Sequence, residues 1–232
     1  IFNISAMSYG ALSAPAVQAL SRGAKMAGCW LNTGEGGLSD HHLSGGCDIV
    51  FQIGTAKYGV RDANGYLNDD KLKAVAAHPQ VKMFEIKLSQ GAKPGKGGIL
   101  PAAKVTEEIA RIRHIPVAQS SISPNGHAEV KSPADLLDLI NHVRTVTGKP
   151  TGIKFVLGAA GWLRELYAEI QLRGIESAPD FITLDSGDGG SGAAPQPLMD
   201  TTGLSIRESL PFVLASLERA KLRERVRVIV SG

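Results

Sequence analysis

The sequence predicts an α/β protein whose parallel sheet is covered by helices, and three observations carry that prediction. Seven apolar runs of strand length recur along the chain, separated mostly by helix-like segments. The runs are short and nearly continuous in apolar character, as expected of strands buried on both faces. Glycine-rich loops follow three of these runs, and glycine lets a ligand come close to backbone N–H groups.

Length and composition bound the rest. A chain of 232 residues suits one barrel-sized α/β domain, and no repeat, linker or low-complexity stretch divides it, so residues 1–232 read as a single domain. Hydrophobic content of 43% and charged content of 20% are those of ordinary globular proteins. A net charge of +3 without a basic, aromatic-interleaved tract argues against nucleic acid as a partner. The two cysteines, Cys29 and Cys47, are too few for a disulfide framework and fit a reducing, cytoplasmic setting. No apolar run reaches the roughly 18 residues of a membrane span. The chain starts at Ile1 inside one strand-like run and stops at Gly232 just after another, so both ends read as cut.

In chain order, Ile1–Ala6 is the first expected strand and Ala14–Met26 the first helix, followed by a strand at Cys29–Asn32. Residues 34–79 read as an insertion. It holds Asp48–Gly54 as an extra strand pair, the turn Asp62-Ala63-Asn64-Gly65 and a short helix at Asp70–Ala77. Strands are expected next at Met83–Leu88, Ile115–Ser120, Gly152–Val156, Phe181–Leu184 and Val226–Val230. Pro101–Arg113 and Gly161–Arg173 supply helices between them. Ser132-Pro133 gives an N-cap and a first-turn proline, after which Leu136, Leu137, Ile140 and Val143 share one face. Ser205 and Glu208 have capping-box spacing, although Pro211 close behind them argues for a later helix start.

Chemistry is suggested first by two lysines. Lys87 and Lys154 each sit inside an apolar strand, where alternation points them at the sheet interior or at the packed helices. An ammonium there needs an anion to offset its desolvation, supplied by a ligand, a nearby carboxylate or water reached at the rim. After Lys87 runs Ser89-Gln90-Gly91-Ala92-Lys93-Pro94-Gly95-Lys96-Gly97-Gly98, a lysine- and glycine-rich loop that opens a helix and suits an anion. Its spacing is not that of a nucleotide P-loop. Asn32-Thr33-Gly34-Glu35-Gly36-Gly37 is a second such loop, carrying one acid. The third, Gly187 to Gly192, has glycine at four of six positions and reads as a phosphate cradle after the sixth strand. Asp40, His41, His42 and Cys47 match no standard zinc spacing, so no metal site is expected there. Among the other histidines only His127 follows a strand closely enough to face a site.

With these loops in place, the chain resembles the FMN-binding synthase domain of the glutamate synthase family over nearly its full length. The segments that carry the likeness are Ala6-Met7-Ser8-Tyr9-Gly10, Asn32-Thr33-Gly34-Glu35-Gly36-Gly37, Ile86-Lys87 with Gln90-Gly91-Ala92-Lys93-Pro94-Gly95, Ile122-Ser123-Pro124 and Asp188-Gly189-Gly190-Ser191-Gly192-Ala193, in the family's order. The resemblance implies a (β/α)8 TIM barrel of the FMN-dependent oxidoreductase type, with about seven βα units present. It implies reduction of 2-iminoglutarate, formed from 2-oxoglutarate and ammonia, to L-glutamate. Carried over by position, Gln90, Lys93 and Arg113 hold the substrate carboxylates and Glu35 handles a proton at the imine or ammonia. Ala6, Met7, Ser8, Lys87, Gln119 and Lys154 line the flavin ring, and Asp188, Gly189, Gly190, Ser191, Gly192 and Gly232 take its phosphate.

Further expectations follow from the same likeness. The electron donor is a ferredoxin or a pyridine-nucleotide reductase subunit, and a glutaminase partner can supply ammonia. The family's iron–sulfur cluster uses grouped cysteines beyond the last barrel strand, and Cys29 and Cys47 match none of them. Two other readings stay open: an FMN barrel acting on another keto or amino acid, and a non-catalytic barrel that binds a phosphate-bearing ligand.

Overall fold

The computed structural model describes residues 2–232. The chain divides into two compact units, one comprising Ile1–Glu85, Gly98–Pro124 and Arg144–Pro150, the other Ile86–Gly97, Asn125–Val143 and Thr151–Gly232.

The first unit opens with α1 (Ala14–Ala27), which has a proline in its first turn and closes at Gly28, whose φ of 65° is the left-handed conformation that suits glycine at a helix end. Val17, Ser21 and Ala24 lie one helical turn apart and are its buried face. Strands β1 (Trp30–Asn32), β2 (Asp48–Ile53) and β3 (Val81–Lys87) are neighbours in that order. β1 and β2 run parallel, with Trp30 opposite Asp48 and Asn32 opposite Val50. Between them are the single turn α2 (Asp40–Leu43) and, after β2, α3 (Asp69–Ala76), whose Asn68 side chain accepts from the Lys71 N–H. Leu31, Ile49, Phe51, Ile53 and Phe84 are fully buried, and the Phe51 and Phe84 rings meet at 5.6 Å. The same unit contains β4 (Ile99–Leu100), α4 (Glu107–Arg113) and β5 (Ser121–Ile122).

In the second unit α5 (Pro133–Thr147) begins as expected, with the Ser132 hydroxyl accepting from the Asp135 N–H, and Leu136, Leu137, Ile140 and Val143 are buried. β6 (Thr151–Val156), β7 (Phe181–Asp185) and β8 (Arg227–Ser231) follow one another across the sheet and pair in parallel, with Lys154 opposite Thr183 and Asp185 opposite Ser231. α6 (Gly161–Arg173) and α7 (Ile206–Arg219) are the connections. β6 and β7 are buried at every residue. Just past β3, the Leu88 and Ser89 N–H groups donate to the Lys154 carbonyl, which brings the end of β3 beside β6.

Four sequence expectations are corrected. Ile115–Ser120 is not a strand: His114 and Ala118 both adopt left-handed φ, 56° and 57°, on either side of Pro116, and the chain turns instead of extending. The short β5 that follows pairs antiparallel with β4. Residues 34–79 supply one strand parallel to β1, not an extra strand pair. Pro101–Arg113 breaks into a 3-10 turn at Ala102–Lys104 and α4, because Thr106 caps a fresh start by accepting from the Ile109 N–H. Pro211 does not delay α7, which starts at Ile206 where Glu208 accepts from the Ser205 N–H at 3.2 Å. Of the expected first strand, Ile4 makes a single parallel bridge to Leu31, and Ile1 lies outside the described residues. Among the described residues no helix is long and apolar enough to cross a membrane.

Candidate active site

In the first unit the loops after β1 and β2 converge on Arg113 from α4. Its side chain is buried, with Nη1 donating to the Ser121 hydroxyl at 3.1 Å and Nη2 to the Tyr9 carbonyl at 3.3 Å. Nε has no partner among the described residues. The guanidinium carbon stands 5.1 Å from the centroid of the buried Tyr58 ring. Burial pushes the Arg113 pKa down, while Tyr58 and then Glu35 act in the opposite direction. Arginine stays charged through such a shift. Gly10 and Gly36 make room for it: a Cβ at either would come within 3.2 or 3.1 Å of Nη2.

The Ala6–Ser8 segment lies beside the Glu35 loop. The Met7 N–H donates to the Asn32 carbonyl at 3.1 Å, and a Cβ on Gly34 would fall 2.8 Å from the Ser8 nitrogen. Glu35 itself is half-buried, and its carboxylate occupies the space a side chain at Gly98 would need, 2.3 Å from Oε1. Beneath the loop, the Asn32 side chain donates to Glu85 at 2.8 Å and accepts from the Gly34 N–H at 2.9 Å, while Gln52 donates to the same Glu85 oxygen at 2.7 Å. This buried network ties the loop to all three strands.

His42 holds the Met7 carbonyl through Nε2 at 2.8 Å, and its Nδ1 faces the Ser39 hydroxyl at 2.7 Å and the Ser39 N–H. An accepting Nδ1 leaves the proton on Nε2, and burial lowers the His42 pKa. Both His42 ring nitrogens are thus engaged by the protein, and among the described residues no group of three or more His, Cys, Asp or Glu could hold a metal ion.

The second unit gathers the lysines. Lys154 is buried and lies 3.3 Å from Asp185. Asp185 also accepts from the Ser231 hydroxyl and, at 2.8 Å, from the Gly91 N–H. Lys87 donates to the Gln90 side-chain oxygen at 3.0 Å, and the Lys93 N–H closes a turn onto the Gln90 carbonyl at 3.2 Å. Lys93 is buried. His127, also buried, places Nε2 3.0 Å from the Lys87 carbonyl. Lys87, Gln90, Lys93 and Lys154 thus share the C-terminal ends of β3 and β6.

The glycine loop after β7 is exposed from Asp188 to Gly192. Asp188 accepts from the Ser186 hydroxyl, and the Gly189 N–H donates to Asp200 at 2.9 Å. Gly189 has a φ of 87°, so its glycine is required by conformation, whereas a Cβ on Gly192 would meet nothing within 4 Å. Gly232 lies against Ser186, where a Cβ would come within 2.5 Å. Gln119 stands exposed on the turn before β5 rather than on a strand, and the structure does not gather it with the other residues of its unit.

The whole chain, residues 1–232, matches the family model described as the conserved region in glutamate synthase. The chain belongs to the glutamate synthase family. A glutamate synthase large subunit-like protein, YerD, of Bacillus subtilis is 46% identical over 98% of this chain and 43% of its own length. An archaeal-type glutamate synthase [NADPH] of Thermotoga maritima is 34% identical over 98% of this chain and 41% of its own. This chain therefore spans less than half the length of either relative. Among solved structures, Streptococcus suis SuiB bound to S-adenosylmethionine aligns over 95% of this chain and 44% of that one at 11% identity and a TM-score of 0.49, too distant a likeness to bear on function.

Several residues of this glutamate synthase family member stand beside assigned residues of their own unit without having been singled out in the sequence. Asp185 had a readable signal, a carboxylate at the end of an apolar run with a lysine in the preceding one. Tyr58 and Lys57 had none, being part of the segment read as an insertion. Lys57 is buried and holds a φ of 54°, unusual for a residue with a side chain.

Proposed function

We propose that this chain forms the flavin- and 2-oxoglutarate-binding part of a glutamate synthase, a (β/α)8-type oxidoreductase domain that reduces 2-iminoglutarate to L-glutamate. The observation that carries the reading is Arg113. It is a buried guanidinium whose Nη1 and Nη2 donate to the Ser121 hydroxyl and the Tyr9 carbonyl, both neutral oxygens, and whose Nε has no partner among the described residues. A buried cation in that state is poised for an anion, and its planar fork suits a carboxylate. A five-carbon diacid has a carboxylate at each end, and Gln90 and Lys93 are the groups assigned to the second.

The residues fit FMN on two counts. Gly192 has neither an unusual backbone angle nor a neighbour to explain its missing side chain, so a closely approaching phosphate is a sufficient reason for it. Lys87 and Lys154 supply cationic groups at strand ends of the second unit, and Ala6, Met7, Ser8 and Gln119 are the further ring contacts that the family resemblance assigns. Asp188, Gly189, Gly190, Ser191, Gly192 and Gly232 would hold the phosphate, the Gly189 N–H exchanging Asp200 for it. Bound there, FMN supplies hydride transfer. Arg113 binds a carboxylate of the diacid, Gln90 and Lys93 remain the anchors that the family resemblance assigns, and Glu35 holds or delivers a proton at the substrate nitrogen. Ammonia, possession of a glutaminase partner and an electron donor belong to the same reading; the donor is a ferredoxin or a pyridine-nucleotide reductase, in keeping with the NADPH in the name of the Thermotoga relative.

The test is turnover of 2-oxoglutarate and ammonia with a flavin reductant by the purified protein, with Arg113→Lys beside it. The expected result is bound FMN in both and a KM for 2-oxoglutarate raised roughly ten- to a hundredfold in the variant. A protein that takes up no FMN, or a variant with unchanged KM, overturns the reading.

A further inference from the structure

We propose that Asp185 is a positioning residue that latches the Gln90–Lys93 loop and the Lys154 ammonium to the end of β7. Both carboxylate oxygens are committed. Oδ1 lies 3.3 Å from the Lys154 Nζ and accepts from the Ser231 hydroxyl, and Oδ2 accepts from the Gly91 N–H at 2.8 Å. The Asp185 side chain is 8% exposed and that of Lys154 6%, so water does little to share these roles.

Where the loop packs against Ser186, just past β7, there is room for backbone only. A Cβ on Gly91 would fall 1.5 Å from the Ser186 carbonyl oxygen, so no side chain can stand between them. What fixes the height of the loop over the strand is therefore the Gly91 N–H and its acceptor. Gln90 and Lys93 move with that amide: the Lys93 N–H closes the turn onto the Gln90 carbonyl, and the Gln90 side chain is held by Lys87. One carboxylate from β7 thus sets three elements at once: the loop after β3, the lysine on β6 and the hydroxyl on β8. A charged acceptor bound by three donors holds geometry more firmly than neutral bonds do.

The inference is independent of the proposed function in its first readout and rests on that reading in its second. Asp185→Asn keeps the volume but removes the charge that faces Lys154. Peptide-level amide hydrogen exchange should show residues 88–97 exchanging about tenfold faster, with α6 and α7 unchanged. The KM for 2-oxoglutarate should rise about tenfold with kcat within about twofold, as for a loop that positions substrate anchors. Exchange unchanged in 88–97, or raised equally through β6, β7, α6 and α7, overturns the latch. If Asp185→Asn fails to fold, Ser231→Ala removes one donor only and should speed exchange in the same segment by a smaller factor; no local change there overturns the latch equally. If the wild-type protein holds no flavin and turns over no 2-oxoglutarate, the functional reading fails while the exchange measurement still decides the latch.

Discussion

The Arg113 guanidinium lies over the Tyr58 ring, 5.1 Å from its centroid, while its Nη2 donates to the Tyr9 carbonyl. The ring is buried, so the cation–π contact acts where water is excluded. Tyr58→Phe should leave 2-oxoglutarate affinity near wild type, because the face is kept. Tyr58→Leu should weaken it by about 1–2 kcal/mol, a five- to thirtyfold rise in Kd measurable by calorimetry. Equal affinities in the two variants would remove the ring from the site.

Gly98 tests Glu35 in the same way. A Cβ there would sit 2.3 Å from Glu35 Oε1, and the next neighbour is the Ser123 hydroxyl at 3.6 Å. The carboxylate is the end of a flexible side chain and can move aside, so Gly98→Ala should cost about 1 kcal/mol of stability or less. A proton-handling group displaced by about an ångström should lower kcat roughly a hundredfold. Urea unfolding and steady-state kinetics separate the two. A normal kcat would argue against a proton role for Glu35.

The strands and helices that bury apolar runs were legible: β1, β3, β6, β7, β8, α1, α5 and α6 lie where the pattern places them. The failures have local causes. Two left-handed residues around Pro116 turned an apolar run into loop, and a side chain's effect on its own backbone angle is only weakly written in composition. β2 reads as part of a strand pair within an insertion because it breaks the strand–helix rhythm; the structure makes it one strand parallel to β1 and buries its Gln52 amide on Glu85. Glycine loops and charge inside apolar runs singled out Glu35, Lys87 and Lys154 as candidates, and the structure buries Lys154 and half-buries Glu35 and Lys87. Partner residues were not singled out. Asn32 meets Glu85 across 53 residues of sequence and Asp185 meets Gly91 across 94, and such pairings exist only once the strands align.

His42 makes stability depend on pH. Its folded pKa is depressed below the ordinary value by burial, so the folded protein keeps it neutral where the unfolded chain begins to protonate. Its contribution is complete above the unfolded pKa of about 6.5 and is lost as pH falls below it towards the folded value. Urea midpoints should therefore fall between pH 7.5 and pH 5, and His42→Gln should flatten, without abolishing, that part of the fall. An unchanged slope would show that His42 titrates normally in the folded protein.

Gly192 separates ligand binding from folding most cleanly. Its φ is not in the left-handed region, and a Cβ there meets no atom within 4 Å, so nothing in the protein penalises alanine. Loss of glycine's unfolded-state freedom even favours the variant, by about 0.4–1 kcal/mol. Gly192→Ala should thus leave the apoprotein as stable as wild type or slightly more so. If the loop cradles a phosphate, the added methyl group stands where the ligand comes against the backbone, and FMN affinity should drop about tenfold or more in a fluorescence titration. Gly23→Ala, on α1 and outside the loop, is the control, since its Cβ likewise meets nothing within 4 Å. Unchanged FMN affinity in Gly192→Ala, with the stability of the apoprotein also unchanged, would move the phosphate away from this loop and leave its glycines to the geometry of the turn alone.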